Sequence, residues 1–454
     1  MPKKKTALTI EERLQQALVP AEEQPYEVPE NWVWVRLGEV NKYMSKSVNP
    51  ISEPNKTFEL YSVPSMADNY PEIIVGSDIG SSKQSVCKGD VLLCKINPRI
   101  NRVWKVSQFT DNELIASSEW IIIRNNHIDA NYLMYCFQSK YFREFMLSNV
   151  SGVGGSLMRA QPKYVQTYPI PLPPLSEQQR IVERIEELFA KLDEAKERLQ
   201  EAADSFAVRK AAILHKAFTG ELTKQWRREN GVSDESWEEK KGEDFFEYVT
   251  SGSRGWAKYY SDKGSIFVRM GNLNHGTIEL DFSDIQYVEL PDQVEGQRSK
   301  LQKNDILISI TADVGMIGLV REDMDAYINQ HVALARPKND LYAEFLAWYF
   351  VSDVGLQQMQ NKQRGATKIG LGLQDIRSII LKIPTLSEQH EIVRLIDDLL
   401  ARERAAQQAA EQALASIDLM KKSILARAFR GELGTNKASE ASALELLQQV
   451  LAEN

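Results

Sequence analysis

Residues 175–222 read LSEQQRIVERIEELFAKLDEAKERLQEAADSFAVRKAAILHKAFTGEL, and residues 386–433 read LSEQHEIVRLIDDLLARERAAQQAAEQALASIDLMKKSILARAFRGEL. The two stretches are identical at 20 of 48 positions without a gap, which identifies an internal duplication. In the first copy Ile181, Ile185 and Leu188 begin an apolar series with alternating steps of four and three residues. A series of about five heptads predicts long helices that pair as an antiparallel coiled coil.

The apolar series is interrupted once in each copy, at Arg209 in the first and at Glu403 in the second. Two ordinary core helices are the alternative interpretation. However, helices of about 40 residues span roughly 60 Å at 1.5 Å per residue, which is more than one small domain needs. Pairing of the two copies with each other is therefore the favoured prediction.

The regions before the two copies are related more loosely. Trp32 and Trp237 open each half, and Lys88–Leu92 resembles Lys303–Leu307. The fold class predicted is α+β, with two mixed α/β variable domains separated by the long helices in a pseudo-two-fold internal repeat. The predicted segments are an N-terminal extension with a short helix (1–30), a variable domain (31–174), a helical region (175–222), a linker (223–234), a variable domain (235–385), a helical region (386–433) and a C-terminal tail (434–454).

Each variable domain is expected to contain a buried strand and an aromatic-rich helix. Val86–Ile96 and Lys303–Ile310 are the predicted strands, and Asn131–Leu147 and Tyr342–Gln358 are the predicted helices. In the extension, Thr9–Glu12 has the spacing of a capping box and predicts a small amphipathic helix, with a frayed end as the alternative.

Composition narrows the class of protein. No apolar run approaches the ~20 residues that a membrane span needs, and the first residues do not resemble a secretory signal. The three cysteines include no C-x-x-C pair, which favours reduced thiols in a cytoplasmic protein. The net charge is −8, but residues 31–165 carry +3 and residues 235–380 carry −6. An acidic total lowers the expectation of non-specific DNA coating without excluding a basic groove.

Loops rich in basic, amide and aromatic residues lie between the predicted elements, at Lys95–Arg102, Ser253–Tyr260 and Arg269–His275. Arg and Asn can pair in a bidentate way with guanine and adenine edges, whereas the alternative for any one loop is a solvated turn. The candidate DNA-binding residues are Lys95, Asn97, Arg99, Asn101 and Arg102 in the first domain, and Arg254, Lys258, Asn272 and Asn274 in the second.

The sequence contains no recognisable catalytic constellation. A phosphate-binding G-x-x-x-x-G-K-[ST] loop is absent, and His390-Glu391 lacks the second histidine of a zinc protease. Glu238-Glu239-Lys240 has no acidic partner in a suitable upstream strand for a nuclease site, so solvated charge is the favoured interpretation. The chain is therefore expected to be neither an enzyme nor a metal-binding protein.

Two helical copies that begin LSEQ and end AF-x-G-E-L, separated by dissimilar domains, together resemble the specificity (S) subunit of type I restriction–modification systems. Leu14–Val40 also resembles the corresponding region of such subunits. The resemblance implies two target recognition domains, each reading one half of a bipartite double-stranded DNA site. It also implies an antiparallel helix pair that docks two modification (M) subunits and sets the spacer between the half-sites.

The resemblance assigns the chemistry to other chains. Modification subunits carry S-adenosylmethionine and methylate adenine, while restriction (R) subunits use ATP and Mg; no cofactor is expected in this chain. The repeated helix ends are the expected docking residues: Leu175, Glu177, Gln178, Glu221, Leu222, Leu386, Glu388, Gln389, Glu432 and Leu433.

Two other interpretations stay open at the level of sequence. One is a coiled-coil scaffold with two protein-binding heads and no DNA contact, which the acidic second domain favours. The other is a subunit that supports methylation without a nuclease partner.

Overall fold

The structure, a computed structural model, describes residues 9–152, 158–291, 297–364 and 370–453. The chain divides into two compact units. Unit 1 comprises Met1–Arg198 and Ala413–Asn454, and unit 2 comprises Leu199–Gln412. Each unit therefore contains one variable domain together with part of both helical regions.

The helices and strands of the first half, in chain order, are α1 Ile10–Ala17, β1 Val33–Arg36, α2 Leu37–Val40, β2 Ser47–Val48, β3 Thr57–Tyr61, β4 Glu72–Val75, β5 Lys83–Ser85, β6 Val91–Cys94, β7 Val103–Lys105, β8 Glu113–Ala116, β9 Trp120–Ile123, α3 Ala130–Gln138, α4 Lys140–Ser148, β10 Val150–Ser151, β11 Arg159–Ala160, α5 Pro162–Val165, β12 Pro169–Leu172 and α6 Leu175–Asp204.

Those of the second half are α7 Phe206–Phe218, α8 Lys224–Glu229, β13 Glu238–Lys241, α9 Gly242–Phe245, β14 Phe246–Ser251, β15 Tyr260–Ser261, β16 Ser265–Val268, β17 Tyr287–Val288, β18 Ile306–Ser309, β19 Ile317–Leu319, β20 Ala326–Ile328, β21 Val332–Pro337, α10 Ala343–Val351, α11 Asp353–Asn361, α12 Leu373–Arg377, β22 Ile380–Ile383, α13 Leu386–Ala428 and α14 Ala443–Ala452.

The sheets follow related plans in the two variable domains. Unit 1 has a five-stranded sheet in the order β2-β5-β8-β3-β4 and a three-stranded sheet in the order β7-β6-β9. Unit 2 has two four-stranded sheets, β14-β21-β18-β19 and β15-β17-β16-β20. In each unit a short antiparallel pair, β1 with β12 or β13 with β22, joins the start of the variable domain to the strand just before a long helix.

One buried ion pair is repeated in both variable domains. The Nε and Nη2 atoms of Arg124 donate to Asp90 at 2.7 and 2.6 Å, and those of Arg336 donate to Asp305 at 2.7 and 2.8 Å. Both arginines extend from equivalent strands, β9 and β21, toward the turn before β6 or β18. The duplication therefore extends beyond the helices into the cores of the variable domains.

The long helices run antiparallel within each unit. In unit 1, Lys421 of α13 donates to Asp193 of α6 at 2.5 Å, and Ile181 near the start of α6 shares a core with Ala428 at the end of α13. In unit 2, Arg209 of α7 donates to Glu403 of α13 at 2.8 Å. The antiparallel coiled coil predicted from the sequence is confirmed.

Three predicted helices are interrupted or shorter than expected. The first copy is not one helix, because Ser205 lies in a turn between α6 and α7. Asn131–Leu147 and Tyr342–Gln358 are each divided by a buried serine, Ser139 or Ser352. Both serine backbones are extended, and both hydroxyls donate at 2.5 Å to the carbonyl three residues earlier. This local hydrogen bond competes with the helical pattern and ends the first helix.

The segment predicted as a C-terminal tail is an integral part of unit 1. Helix α14 buries Leu447, Val450 and Leu451 in the core that also contains Ala17 of α1. The Thr9–Glu12 capping box forms at the start of α1 as predicted. Arg13 of α1 donates to the carbonyl of Leu451 at 3.1 Å, so the two helices are joined by hydrogen bonding as well as by packing.

Candidate nucleic-acid interface

A groove of ≈ 640 Å³ lies in unit 2 beside the end of β14. The loop after β14 provides Arg254 and Lys258, both exposed, and the segment before β18 provides Arg298. None of these three cations forms an ion pair with a carboxylate among the residues that the structure describes. Unpaired cations on a concave surface are suited to phosphate oxygens.

The loop is held close to the sheet by a glycine. A Cβ at Gly252 would lie 1.9 Å from the carbonyl oxygen of Ile328, so only glycine fits beside β20. Ser253 forms a parallel bridge with Asn329 in the turn that follows β20. The buried Trp256 stacks on Phe267 and fixes the far end of the loop. The sheet thus positions Arg254 and Lys258 at the groove.

Sequence reasoning missed two residues of this groove, Arg298 and Gln330. Gln330 lies more than 70 positions from Arg254 in the sequence, and the two segments are brought together by the antiparallel pairing of β14 with β21 and by the Ser253–Asn329 bridge. The available sequence signal was the pair Gln330-His331 between two apolar strands, a polar turn of the kind that carries binding residues.

Asn272 was predicted to contact DNA, but the structure places its side chain inside the domain. Its side chain is buried, and its amide group donates to the carbonyls of Asp281 and Asp284 at 2.8 and 3.0 Å. Its Oδ1 accepts from the backbone of Arg269 at 2.8 Å. All of these bonds stabilise the loop itself, so no amide edge is left for a base. Asn274, by contrast, is exposed.

The candidate loop of unit 1 projects from the end of β6. Asn97 and Asn101 both have left-handed backbones, with φ of 46° and 54°, and they enclose one turn of 3₁₀ helix. Between them Arg99 is exposed. Its carbonyl accepts a hydrogen bond from Arg143 of α4, which fixes the loop to the helical side of the domain.

The five candidates of this loop differ in their surroundings. Asn101 donates to the carbonyl of Gln138 at 3.1 Å, so its amide caps α3. Asn97 is partly buried, and its Oδ1 has no hydrogen-bond partner among the described residues. Lys95 is also partly buried, while Arg102 lines a cavity of ≈ 480 Å³ with Pro64 and Met66. Whether these residues contact DNA stays a prediction.

The acidic and amide residues of the LSEQ motif were predicted to dock a partner, but the structure buries all four side chains within this chain. Glu177 is buried and accepts from the indole of Trp32 at 2.7 Å and from Asn436 at 2.9 Å. Gln178 accepts from the backbone of Asp129 at 2.9 Å and donates to the carbonyl of Pro173 at 2.9 Å. These side chains join the helix to its own variable domain.

The second copy repeats the arrangement. Gln389 accepts from the backbone of Tyr342 at 3.0 Å and donates to the carbonyl of Pro384 at 2.9 Å. Glu388 accepts from Arg227 and from Thr223, both at 2.7 Å. In unit 2 the buried carboxylate therefore accepts from a charged arginine and forms an ion pair. In unit 1 the equivalent carboxylate accepts from the neutral side chains of Trp32 and Asn436.

Burial affects the acidity of the first carboxylate. It raises the pKa of Glu177, while the hydrogen bonds from Trp32 and Asn436 act in the opposite direction. The same conflict holds at Asp305, where burial raises the pKa and Arg336 opposes the change. Both carboxylates belong to the internal framework and lie outside the groove.

The remaining predicted docking residues reach the surface to different extents. Leu175 and Leu386 are exposed at 41% and 45%, at equivalent positions in the two copies. Leu222 and Leu433 are partly buried against the cores of units 2 and 1. Glu221 and Glu432 are exposed. The helix starts thus present a free leucine, and the helix ends present a glutamate.

Two other kinds of site are absent from the described ranges. No group of three or more His, Cys, Asp or Glu side chains is arranged to hold a metal ion among them. In the same ranges, every helix is too short or too polar to span a bilayer.

Comparison with known proteins supplies the wider context. The family model described as Type I restriction modification DNA specificity domain matches residues 29–203 and again residues 234–413. The type I restriction enzyme EcoBI specificity subunit of Escherichia coli is 30% identical over 306 residues, covering 63% of this chain and 64% of that protein. The chain thus spans slightly less than two thirds of the EcoBI subunit.

A second relative and a solved structure extend the comparison. The EcoKI specificity subunit of Escherichia coli strain K12 is 28% identical over 345 residues, covering 72% of each chain. The crystal structure of the HsdS subunit from Thermoanaerobacter tengcongensis has a TM-score of 0.69 at 22% identity and covers 90% of this chain and 99% of its own. The similarity to this solved structure concerns the fold alone.

Proposed function

The chain belongs to the family of type I restriction modification DNA specificity domains, and we propose that it is the subunit that gives such a complex its DNA sequence specificity. The observation that carries the proposal is the double match of one DNA specificity model. The two matches cover the two variable domains of a chain that is duplicated in sequence and in its internal ion pairs. We propose that each domain reads one half of a bipartite site.

The groove of unit 2 supports direct contact with DNA. Arg254, Lys258 and Arg298 concentrate positive charge in a domain whose overall charge is negative. Phosphate contacts of this kind fix the position of a protein on a duplex, and neighbouring polar side chains then reach base edges. A scaffold without DNA contact gives no reason for three cations on one concave surface that have no carboxylate partner among the described residues.

The complete activity of the complex is proposed to reside in partner chains. Modification subunits would hold S-adenosylmethionine and methylate adenine, and restriction subunits would use ATP and Mg. This chain would contribute no catalytic residue. The relatives are named specificity subunits of restriction enzymes, which supports this division of labour.

Two modification subunits are proposed to dock on the long helices, which also set the spacer between the half-sites. Leu175 and Leu386 support the docking proposal, because they are exposed leucines at equivalent positions of a duplicated surface. Repetition of one apolar position matches two copies of one partner.

The function is tested by expressing the chain together with modification subunits from the same host. Methylome sequencing of a host that expresses the chain with these subunits should reveal one bipartite adenine-methylated site. Binding of the purified complex to that site should fall steeply with salt and exceed binding to a scrambled duplex. A complex that forms but methylates no defined sequence and binds both duplexes equally would support the scaffold interpretation instead.

A further inference from the structure

The turn between β20 and β21 carries a chain of three polar side chains. Nε2 of Gln330 lies 2.8 Å from Nε2 of His331, and Nδ1 of His331 lies 2.6 Å from Oγ1 of Thr311. The backbone N–H of His331 donates to Oδ1 of Asn329 at 3.0 Å, which fixes the turn itself. Gln330 lines the groove together with Arg254, Lys258 and Arg298.

The chemistry of the donors determines how this chain of side chains is protonated. The amide nitrogen of Gln330 can only donate, so Nε2 of the neutral His331 ring must accept. The ring proton is then on Nδ1, from which it donates to Oγ1 of Thr311. Gln330 is thereby held with one amide hydrogen engaged, leaving its second amide hydrogen and its Oε1 for a ligand.

The second amide hydrogen and the Oε1 of Gln330 match one particular base edge. One donor and one acceptor on an amide match the N7 acceptor and the N6 donor of adenine in the major groove. The cations of the same groove would bind the phosphates on either side. Gln330 is held by His331, which is itself held by Thr311, and a side chain fixed in this way loses less conformational entropy on binding than a free one.

We propose that Gln330 reads an adenine in the half-site bound by unit 2, and that His331 and Thr311 are positioning residues for its amide. This inference rests on the proposed function and deepens it by naming a base and the residue that recognises it. The adenine read by Gln330 is a recognition base and remains stacked in the duplex.

The decisive experiment uses the complex with its modification subunits and the bipartite duplex found by methylome sequencing. Each adenine of the site is replaced in turn by 7-deazaadenine, which keeps the Watson–Crick pairing but lacks N7. At one position the complex with the unaltered chain should bind about 5- to 150-fold more weakly, the range expected for a bidentate base contact. With Gln330→Ala, the same replacement should have no effect.

The positioning residues are tested by a matched pair. Thr311→Ser keeps the hydroxyl and should retain the preference for adenine at that position, whereas Thr311→Val removes it and should reduce the preference. His331→Ala should reduce the preference at the same base and at no other. Lys258→Ala serves as a control, because losing a phosphate contact should weaken all sequences alike and lower the salt slope by about one.

The outcomes separate the inference from the function on which it rests. If the complex binds its site specifically but Gln330→Ala responds to every 7-deazaadenine as the unaltered chain does, the assignment of Gln330 is wrong and the proposed function stands. If the half-site bound by unit 2 contains no A·T pair, the assignment of Gln330 is likewise wrong and the proposed function stands. Absence of specific binding by the unaltered complex would overturn both.

Discussion

The Nε of Arg209 donates to a carboxylate oxygen of Glu403 at 2.8 Å, and these two residues are the positions at which the apolar series of the two helices is interrupted. The two charged residues that interrupt the apolar series thus form one ion pair with each other. The duplicated positions in unit 1 are Met420 and Leu192, so the other copy carries apolar residues there. The guanidinium of Arg209 also lies 4.3 Å from the ring centre of Phe206.

The double variant Arg209→Met with Glu403→Leu, which copies the residues of unit 1, should be close to neutral. The two side chains are 40% and 27% exposed, and ion pairs of this exposure contribute only about 0–1 kcal/mol. Each single variant should be less stable than the double variant, because it leaves one charge unpaired on an apolar seam. Urea unfolding of the four proteins measures the coupling; additive effects would contradict it.

The ion pair of Glu388 with Arg227 should contribute far more to the stability of the fold than the pair of Arg209 with Glu403. Glu388 is fully buried and the Arg227 side chain is 7% exposed. Glu388→Ala should cost about 3–5 kcal/mol, because it leaves an arginine charge buried without its partner. Arg402→Ala on the solvent side of the same helix is the control, with an expected cost within about 0.5 kcal/mol. Equal unfolding free energies for both variants would contradict the assignment.

Glu177 should make stability depend on pH. Because burial raises its pKa above the ordinary value of 4.5, the folded state retains a proton that the unfolded state has released within that interval. The free energy of unfolding therefore falls as pH rises from 4.5 through the raised pKa, and this contribution is constant outside the interval. Relative to Glu177→Gln, the unaltered chain should lose stability as the pH rises from 4.5 through the raised pKa of Glu177. A difference that does not change with pH would contradict this prediction.

Leu175→Asp and Leu386→Asp should each release one modification subunit, and the double variant should release both. A charge at the centre of an apolar contact opposes docking without disturbing a side chain that is already exposed. Native mass spectrometry gives the stoichiometry. Leu419→Asp is the matched control, since Leu419 is a 65% exposed leucine of α13 away from the motif. Leu222 and Leu433 are unsuitable because they pack against the cores.

Arg99→Ala and Arg254→Ala should weaken DNA binding through different half-sites. If either arginine reads a base, its loss should cost about 1–3 kcal/mol and relax specificity at one position. If it contacts a phosphate, all sequences should weaken alike. Binding is measured by titration of the complex at several salt concentrations. Unchanged affinity and unchanged site preference for both variants would mean that these loops do not reach the DNA.

The duplication, the antiparallel helices and the Thr9–Glu12 cap could be predicted because each depends on local sequence periodicity or spacing. The role of the LSEQ motif could not be inferred from its repetition. Repetition indicates that these residues are needed, but not whether their side chains face the core or a partner. One signal was available. Glu177, Ile181 and Ile185 follow four-residue steps, so they share the face of the helix that enters the core.

Asn272 and Gln330 illustrate the limit for loop residues. Both are amides in polar loops, and the base-pairing argument applies to each of them equally. Only the folded structure distinguishes them, because the amide of Asn272 forms hydrogen bonds within its own loop, whereas Gln330 lines the groove. The carbonyl of Asp284 that accepts from Asn272 is 12 positions away, and the Thr311 hydroxyl that holds His331 beside Gln330 is 20 positions from that histidine. One sequence does not specify contacts at these separations.

The packing of α14 against α1 has a consequence for biosynthesis. The core of unit 1 includes Leu425, Phe429 and Leu447, which the ribosome makes about 230 to 250 residues after Arg198. At about 5–20 residues per second, the first variable domain waits roughly 10–50 s for the segments that complete it. Unit 2 is continuous in sequence and can finish first. A chain that is released early therefore lacks part of its first reading head, and its exposed apolar surface marks it for degradation.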